Sequence, residues 1–346
     1  MRILFFTENT WHGSCIMRAV WPALWINTFT EHTAHVFSHA EAMGTAHDGM
    51  MMQADVMVFH KAHPQNFYAA RKARDMGKII VYDSDDHDED TFNEHYAMFY
   101  AAGMQDNLDW FRENAHGFTV GSGPLSTLYE NACVLPNGFD VNRAQWRPNC
   151  QPYYTNSGGV YRKIAWGGGS THARDFEMFL KLGALEELMS RHRLDVYIYG
   201  LLRSPSTVQS GKGKIVFAPK DRSGIEYYIR NLYSDACFLF APLIQDNFNG
   251  YRSTLKLVEA GVAGKTIVAS RVASYEEYAE RGTVRVVNNT KEEWVEAMET
   301  LLLDDDMRHD MAKKNHEYVS SEFTAEEITK KRINYFKEIH DLHFRK

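Results

Sequence analysis

Lys256 and Glu259 stand three residues apart in FLFAPLIQDNFNGYRSTLKLVEAGVAGKTIVAS, which reads as strand, polar loop and helix. At that spacing the two side chains share one helix face. A cation beside helix-end amides suits a diphosphate, and a carboxylate suits a ribose diol. An ordinary salt pair on a solvated face explains the same two residues. A second candidate is the turn Trp166-Gly167-Gly168-Gly169-Ser170-Thr171-His172-Ala173-Arg174-Asp175. It follows a strand and opens a helix, so its glycines let the backbone approach a phosphate at a helix N-terminus. His172 and Arg174 would add donors. A tight turn with a Ser or Thr cap is the equal alternative. The pattern is neither GxGxxG nor a P-loop.

The third candidate is acidic. Residues 83–90, DSDDHDED, hold six carboxylates in eight positions at the end of a predicted strand. Active sites of doubly wound sheets open at such ends. Asp85 or Asp83 there could take a proton from a hydroxyl, and crowding of like charges is expected to raise some of their pKa values. Asp83-Ser84-Asp85 is also literally a DxD metal pattern, and a solvated acidic loop is the third reading. Finally, Trp11-His12-Gly13-Ser14 follows the first strand, and His60 ends another strand on the same side. A plain turn and a structural histidine are the simpler readings, except at Gly13.

Strands and helices alternate around these positions. RILFFT, HTAHVFS, DVMVFH, KIIVYD and GFTVGS read as strands, with a helix over Met17–Thr28 and another, FYAARKARDMG, ending at the C-cap Gly77. Alternation restarts with KIAWGGG, LDVYIYG, KIVFAP, CFLFAP, KTIVAS and VRVV. The pattern argues for α/β architecture with parallel, doubly wound sheets. We divide the chain into a Rossmann-like domain over 1–145, a Pro-, Asn- and Gly-rich linker over 146–160, a second Rossmann-like domain over 161–324, and a C-terminal helix over 325–346.

The 346 residues suffice for two domains, with 44% hydrophobic and 24% charged residues. No apolar run reaches the ~18 residues needed to span a bilayer. Four scattered cysteines without a CxxC pair make zinc unexpected and fit a reduced, cytoplasmic compartment. Residues 1–150 carry 10 Lys and Arg against 18 Asp and Glu, and the remainder carries 28 against 27. That acidic first half disfavours an anionic membrane surface, and it counts weakly against nucleic acid.

The combination resembles family 4 glycosyltransferases of the GT-B fold over roughly residues 115–275. The matching residues are Leu135-Pro136-Asn137-Gly138-Phe139-Asp140, the turn at 166–170, Tyr199-Gly200, and Leu257-Val258-Glu259-Ala260. The resemblance implies two Rossmann-like domains facing a central cleft, with the C-terminal helix crossing back to the first. It implies a nucleoside-diphosphate sugar as co-substrate, a UDP-sugar being the expected one, and no resident cofactor or metal. Gly13, Gly168, Gly169, Ser170, His172, Arg174, Gly200, Ser253, Thr254, Lys256 and Glu259 become donor-binding residues. In that scheme Glu259 binds the ribose, Lys256 the diphosphate, and Ser253 and Thr254 offer main-chain amides. Tyr251 stands where the family often has a second glutamate. DxD metal binding belongs to the single-domain GT-A layout, which this chain lacks.

A second resemblance is to phage enzymes that glucosylate hydroxymethylpyrimidines in DNA. It rests on Asp246-Asn247-Phe248, on Thr254-Leu255-Lys256-Leu257-Val258-Glu259, and on the Lys78-Ile79 strand leading to Asp85. For an inverting enzyme it implies Asp85 as general base, DNA as acceptor and the host cytoplasm as compartment; the alternative is a family 4-type retaining enzyme that builds a soluble glycan or glycoconjugate and needs no protein base in that place. Two other classes stay open. A nicotinamide-dependent oxidoreductase would need a GxGxxG that is absent, and a non-catalytic nucleotide-sugar-binding module would bind without turnover.

Overall fold

The computed structural model describes the chain except residues 12, 40–45, 89–103, 141–161, 170–171, 202–204, 220–232, 234 and 345–346. The 146–160 linker and Ser170 therefore lie outside the described residues. The described chain forms two compact units. One comprises Met1–Gly138, Tyr251–Ser253 and Thr324–Lys346; the other comprises Phe139–Gly250 and Thr254–Phe323.

The first unit is built on a parallel sheet of β1 (Arg2–Thr7), β2 (Thr33–Ser38), β3 (Val56–His60), β4 (Ile79–Ser84), β5 (Gly117–Val120) and β6 (Cys133–Val134), in the order β2-β1-β3-β4-β5-β6. Side chains alternate between its two faces, as a period of two requires. Leu4, Phe6, Met57, Phe59, Ile80 and Tyr82 enter one core with Leu108 and Phe111. Ile3, Phe5, Val56, Val58, Ile79 and Val81 enter the other. That second core is completed by Ile333, Phe336 and Ile339 of the C-terminal helix Ala325–Phe344. These residues recur every three positions, which lays one helical stripe on the sheet. The helix thus belongs to the first unit, as the GT-B resemblance implies.

The predicted helix over Met17–Thr28 is in fact compound. A turn at Gly13–Cys15 passes into a π-helical segment, Ile16–Val20, and then into the α-helix Trp21–Phe29. Such insertions re-aim side chains and recur at functional sites. Here the segment carries Arg18, which is fully buried. The helix Pro64–Asp75 ends near Gly77, whose φ of 66° provides the left-handed residue that closes it.

The second unit holds β7 (Arg162–Gly167), β8 (Leu194–Tyr199), β9 (Ser206–Ser210), β10 (Gly213–Ala218), β11 (Phe238–Ala241), β12 (Ile267–Ser270) and β13 (Val284–Val287). Their order is β13-β12-β11-β7-β8-β10-β9. All pairings are parallel except that of β9 with β10. The parallel strands follow the doubly wound dinucleotide-binding order, with the reversal between β7 and β11. β9 was not anticipated from the sequence: its residues STVQS are nearly all exposed and lack an apolar alternation. No helix among the described residues is long and apolar enough to cross a membrane.

Candidate functional site

In the second unit the strand order reverses between β7 and β11, so their following loops border the crevice in which such sheets bind ligands. The loop after β7 holds Gly168 and Gly169. Gly168 donates its N–H to Tyr199 O at 3.0 Å, and a Cβ there would lie 2.6 Å from the Trp166 ring and 3.1 Å from His172. Only a glycine fits without displacing both rings. His172 starts the helix Ala173–Lys181, and its ring Nδ1 lies 3.0 Å from Asp175 Oδ2. Arg174 is exposed in the same first turn.

Asp175, which sequence reasoning did not single out, fastens the two loops together. Its Oδ1 accepts from Ile244 N at 2.9 Å and from Asn249 Nδ2 at 3.0 Å, both on the β11 side. Its sequence signal was present: an acid in the first helical turn beside a glycine turn. Gly200 ends β8 with φ 84°, a conformation few other residues adopt.

Lys256 and Glu259 lie on the helix Leu255–Val262, with Thr254 at its N-cap. Glu259 is 1% exposed and accepts from Lys256 Nζ at 2.8 Å and Tyr233 Oη at 2.9 Å. The pair is therefore not a solvated surface bridge, because its carboxylate is buried and doubly bonded. Ser253 belongs elsewhere. It is grouped with the first unit, where its Oγ accepts from Asn137 Nδ2 at 3.3 Å, joining it to the Pro136-Asn137-Gly138 turn.

The first unit gathers its charged groups at the C-terminal ends of β1, β3 and β4. Asp83 is fully buried and takes two bonds from Arg18, at 3.0 Å from Nε and 2.6 Å from Nη2, plus one from Thr119 Oγ1 at 2.5 Å. Arg18 also donates to Leu135 O at 2.5 Å. Asp85 lies beside His60 and Lys61, whose Nε2 and Nζ are each 3.4 Å from its Oδ1. Lys61 further donates to Asp86 at 2.7 Å, and Arg252 Nε is 3.7 Å from the other Asp86 oxygen. Thr7 Oγ1 sits 3.4 Å from His60 Nδ1. Gly13 begins the short turn after β1, and His12 lies outside the described residues.

Crowding was expected to raise carboxylate pKa values here. Asp88 alone among Asp83, Asp85 and Asp88 is raised, by burial first and by its neighbour Asp86 last, against the lowering pull of Lys61 and of the Tyr82 hydroxyl, which donates to it at 2.6 Å. Burial acts the same way on Asp83 and Asp85 but is outweighed. Arg18 lowers Asp83, while Lys61 and His60 take Asp85 well below the usual carboxylate range. The reverse holds for His60: burial pulls it down, but its bonds to Asp85 and Cys15 push it up to about 9. The sequence displayed the acids but not the cations, which arrive from the π-helical segment, from β3 and from residue 252. Among the described residues no group of three or more His, Cys, Asp or Glu is arranged to hold a metal ion. Both oxygens of Asp83 in the DxD triplet are already engaged by Arg18.

Residues 184–333 match the model of a family described as glycosyl transferase-like. No curated protein matches the chain. Among solved structures, Anabaena HepE in complex with UDP and glucose is similar at 12% identity, covering 98% of this chain and 100% of that one, TM-score 0.67. The sucrose-phosphate synthase of Thermosynechococcus elongatus is similar at 11% identity, covering 99% of both chains, TM-score 0.72. A putative UDP-N-acetylglucosamine 2-epimerase from Listeria monocytogenes is similar at 11% identity, covering 97% of both, TM-score 0.58. The fold is thus GT-B, and residues 184–333 are similar to a glycosyl transferase-like family. That an epimerase shares the fold means that the chemistry must be argued from the site.

Proposed function

We propose that this chain moves a sugar from a nucleoside-diphosphate donor, a UDP-sugar, to an acceptor hydroxyl. The observation that carries this reading is the second unit's strand reversal. The Gly168–Arg174 turn and the β11 loop flank it, and the helix bearing Lys256 and Glu259 follows within the glycosyl transferase-like domain. Lys256 contacts the diphosphate, and Glu259, held by Tyr233, receives the ribose hydroxyls. Gly168, Gly169, Ser170, His172, Arg174, Gly200 and Thr254 complete the second unit's donor contacts, and the sequence-based assignment adds Gly13 and Ser253. Positive groups beside the diphosphate stabilise the charge that develops on the departing UDP. HepE's complex with UDP-glucose supports UDP as the nucleotide.

Asp85 is the general base. It is ionised, and both of its side-chain contacts fall on Oδ1. Asp83 is engaged on both oxygens, so we assign it to holding the site together. The acceptor read from the sequence is a hydroxymethylated pyrimidine in DNA, and a glycan hydroxyl is the alternative. The Asp246-Asn247-Phe248 motif behind the DNA reading also has a folding role: Asp246 Oδ1 accepts Asn249 N–H at 2.8 Å, and Phe248 is buried.

Thermal unfolding with UDP, GDP and ADP tests the donor site, since a ligand of the native state raises the Tm. UDP is expected to raise it in the wild type and much less in Lys256→Ala; no shift with any nucleotide overturns the reading. UDP release from UDP-glucose is then compared with hydroxymethylcytosine-containing DNA and with oligosaccharides. Stimulation by one alone names the acceptor, and binding without release in any mixture supports the non-catalytic module instead.

A further inference from the structure

Lys61 is one of two non-glycine residues, among those described, with a left-handed backbone; its φ is 67°. A residue with a Cβ adopts that conformation at a cost, and such residues cluster at functional sites. The strain is held in place by the sheet: Lys61 N–H donates to Asp83 O at 2.9 Å, continuing the β3–β4 pairing one residue past the end of β3. From that position the Lys61 ammonium bridges Asp85 and Asp86, just past the end of β4.

His60 and Lys61 both contact the same oxygen of Asp85. Oδ2 has no hydrogen-bond partner among the described residues, yet it is not among the sealed, unsatisfied polar atoms, and the side chain keeps 10% exposure. We propose that Lys61 and His60 are positioning residues that clamp Oδ1 of Asp85 and leave Oδ2 as the oxygen that meets the acceptor hydroxyl. The inference rests on the reading of Asp85 as base.

In the step, the acceptor oxygen bonds to the anomeric carbon. The bond from that carbon to the diphosphate breaks, and its electron pair leaves with UDP. The acceptor O–H breaks, and its proton passes to Oδ2. A carboxylate held this far ionised is a weak base, but it is always ready. It takes the proton as the hydroxyl acidifies on bonding to carbon. The groups around Asp85 are His60 and Lys61 from β3, Arg18 from the π-helical segment, and Asp83, Asp86 and Asp88 from its own strand and loop. Arg252 acts on Asp86, while Thr7 and Cys15 act on His60.

Lys61→Gly removes the ammonium at a backbone position that glycine favours, and this relief offsets part of the stability lost with the contacts to Asp85 and Asp86. Water serves as acceptor, with UDP release from UDP-glucose as the readout. Lys61→Gly is expected to lower kcat about tenfold with KM for UDP-glucose unchanged. The acid limb of the pH profile should move to higher pH, and Lys61→Arg should restore most of the rate. A Lys61→Gly enzyme with wild-type kcat and an unmoved limb overturns the proposal.

Titration of ¹³C-labelled aspartate carboxyls reads the same clamp without turnover, the Asp85 signal being the one lost in Asp85→Asn. The signal should titrate at higher pH in Lys61→Gly than in wild type, and equal titration overturns the clamp. Asp85→Asn separates the two levels. If it releases UDP at the wild-type rate, the base assignment falls. If Asp85→Asn is slow and Lys61→Gly is not, only the role of Lys61 falls.

Discussion

Asp83→Asn and Asp85→Asn should part company, one in stability and the other in turnover. At Asp83 the carboxylate is fully buried and receives three bonds, two of them from an equally buried Arg18. An amide offers one acceptor oxygen and no charge, so the guanidinium is left uncompensated in the core. Breaking one side of such a pair costs about 3–5 kcal/mol. For a unit of this size each kcal/mol moves the Tm by about 2–4 °C, so the loss should be about 6–20 °C. Asp85 has two contacts at 3.4 Å, and Lys61 keeps Asp86 when Asp85 is neutralised. Its replacement should cost less than that of Asp83, because its contacts are longer and Lys61 retains a carboxylate partner. Scanning calorimetry with UDP release on the same samples checks both halves. An Asp83→Asn protein that melts with the wild type would refute the argument from burial, and the assignment of Asp83 to support would go with it.

Further outcomes follow from single positions. Glu259→Ala should weaken UDP binding by isothermal titration about tenfold or more, because it removes the proposed ribose contact and frees Lys256 and Tyr233 from their shared carboxylate. Gly168→Ala forces a methyl group against the Trp166 and His172 rings and should cost about 1–3 kcal/mol by denaturant titration, with weaker UDP binding. His60, whose pKa is raised to about 9, contributes stability that is complete below its ordinary 6.5 and fades as pH rises through 9. His39, depressed to about 4 chiefly by burial, contributes stability above 6.5 that is lost as pH falls towards 4. Replacing either by glutamine should flatten the Tm-versus-pH curve on its own side, the alkaline for His60 and the acid for His39.

What the sequence revealed depended on how local each signal was. Ile79–Ser84 and Leu194–Tyr199 announced themselves as short β-rich runs between turn residues, and the C-terminal helix was legible as an element. Asp83 and Asp85 were visible as a pair, but not their opposite fates. Arg18 lies 65 residues from Asp83, buried in a helix that passes through a π segment at that position. Nothing in Met17-Arg18-Ala19 signals that. Lys61 was passed over because a lysine after a strand looks like an ordinary surface residue, and its left-handed backbone has no composition cue. Ser253 and Thr254 are adjacent in sequence but fall in different units, a division that propensity cannot express.

The first unit's second core has a consequence for biosynthesis. Ile333, Phe336 and Ile339 close a sheet whose strands β1 to β6 are all complete by Val134. A nascent chain therefore carries a half-covered apolar sheet through the synthesis of nearly two hundred further residues before the closing helix leaves the ribosome. At about 5–20 residues per second this interval lasts on the order of ten seconds or more. The first half to be made is thus the last to be finished, and chaperone dependence should concentrate there. Truncation before Ala325 should give a protein that is sticky in the cell even where its second unit folds normally.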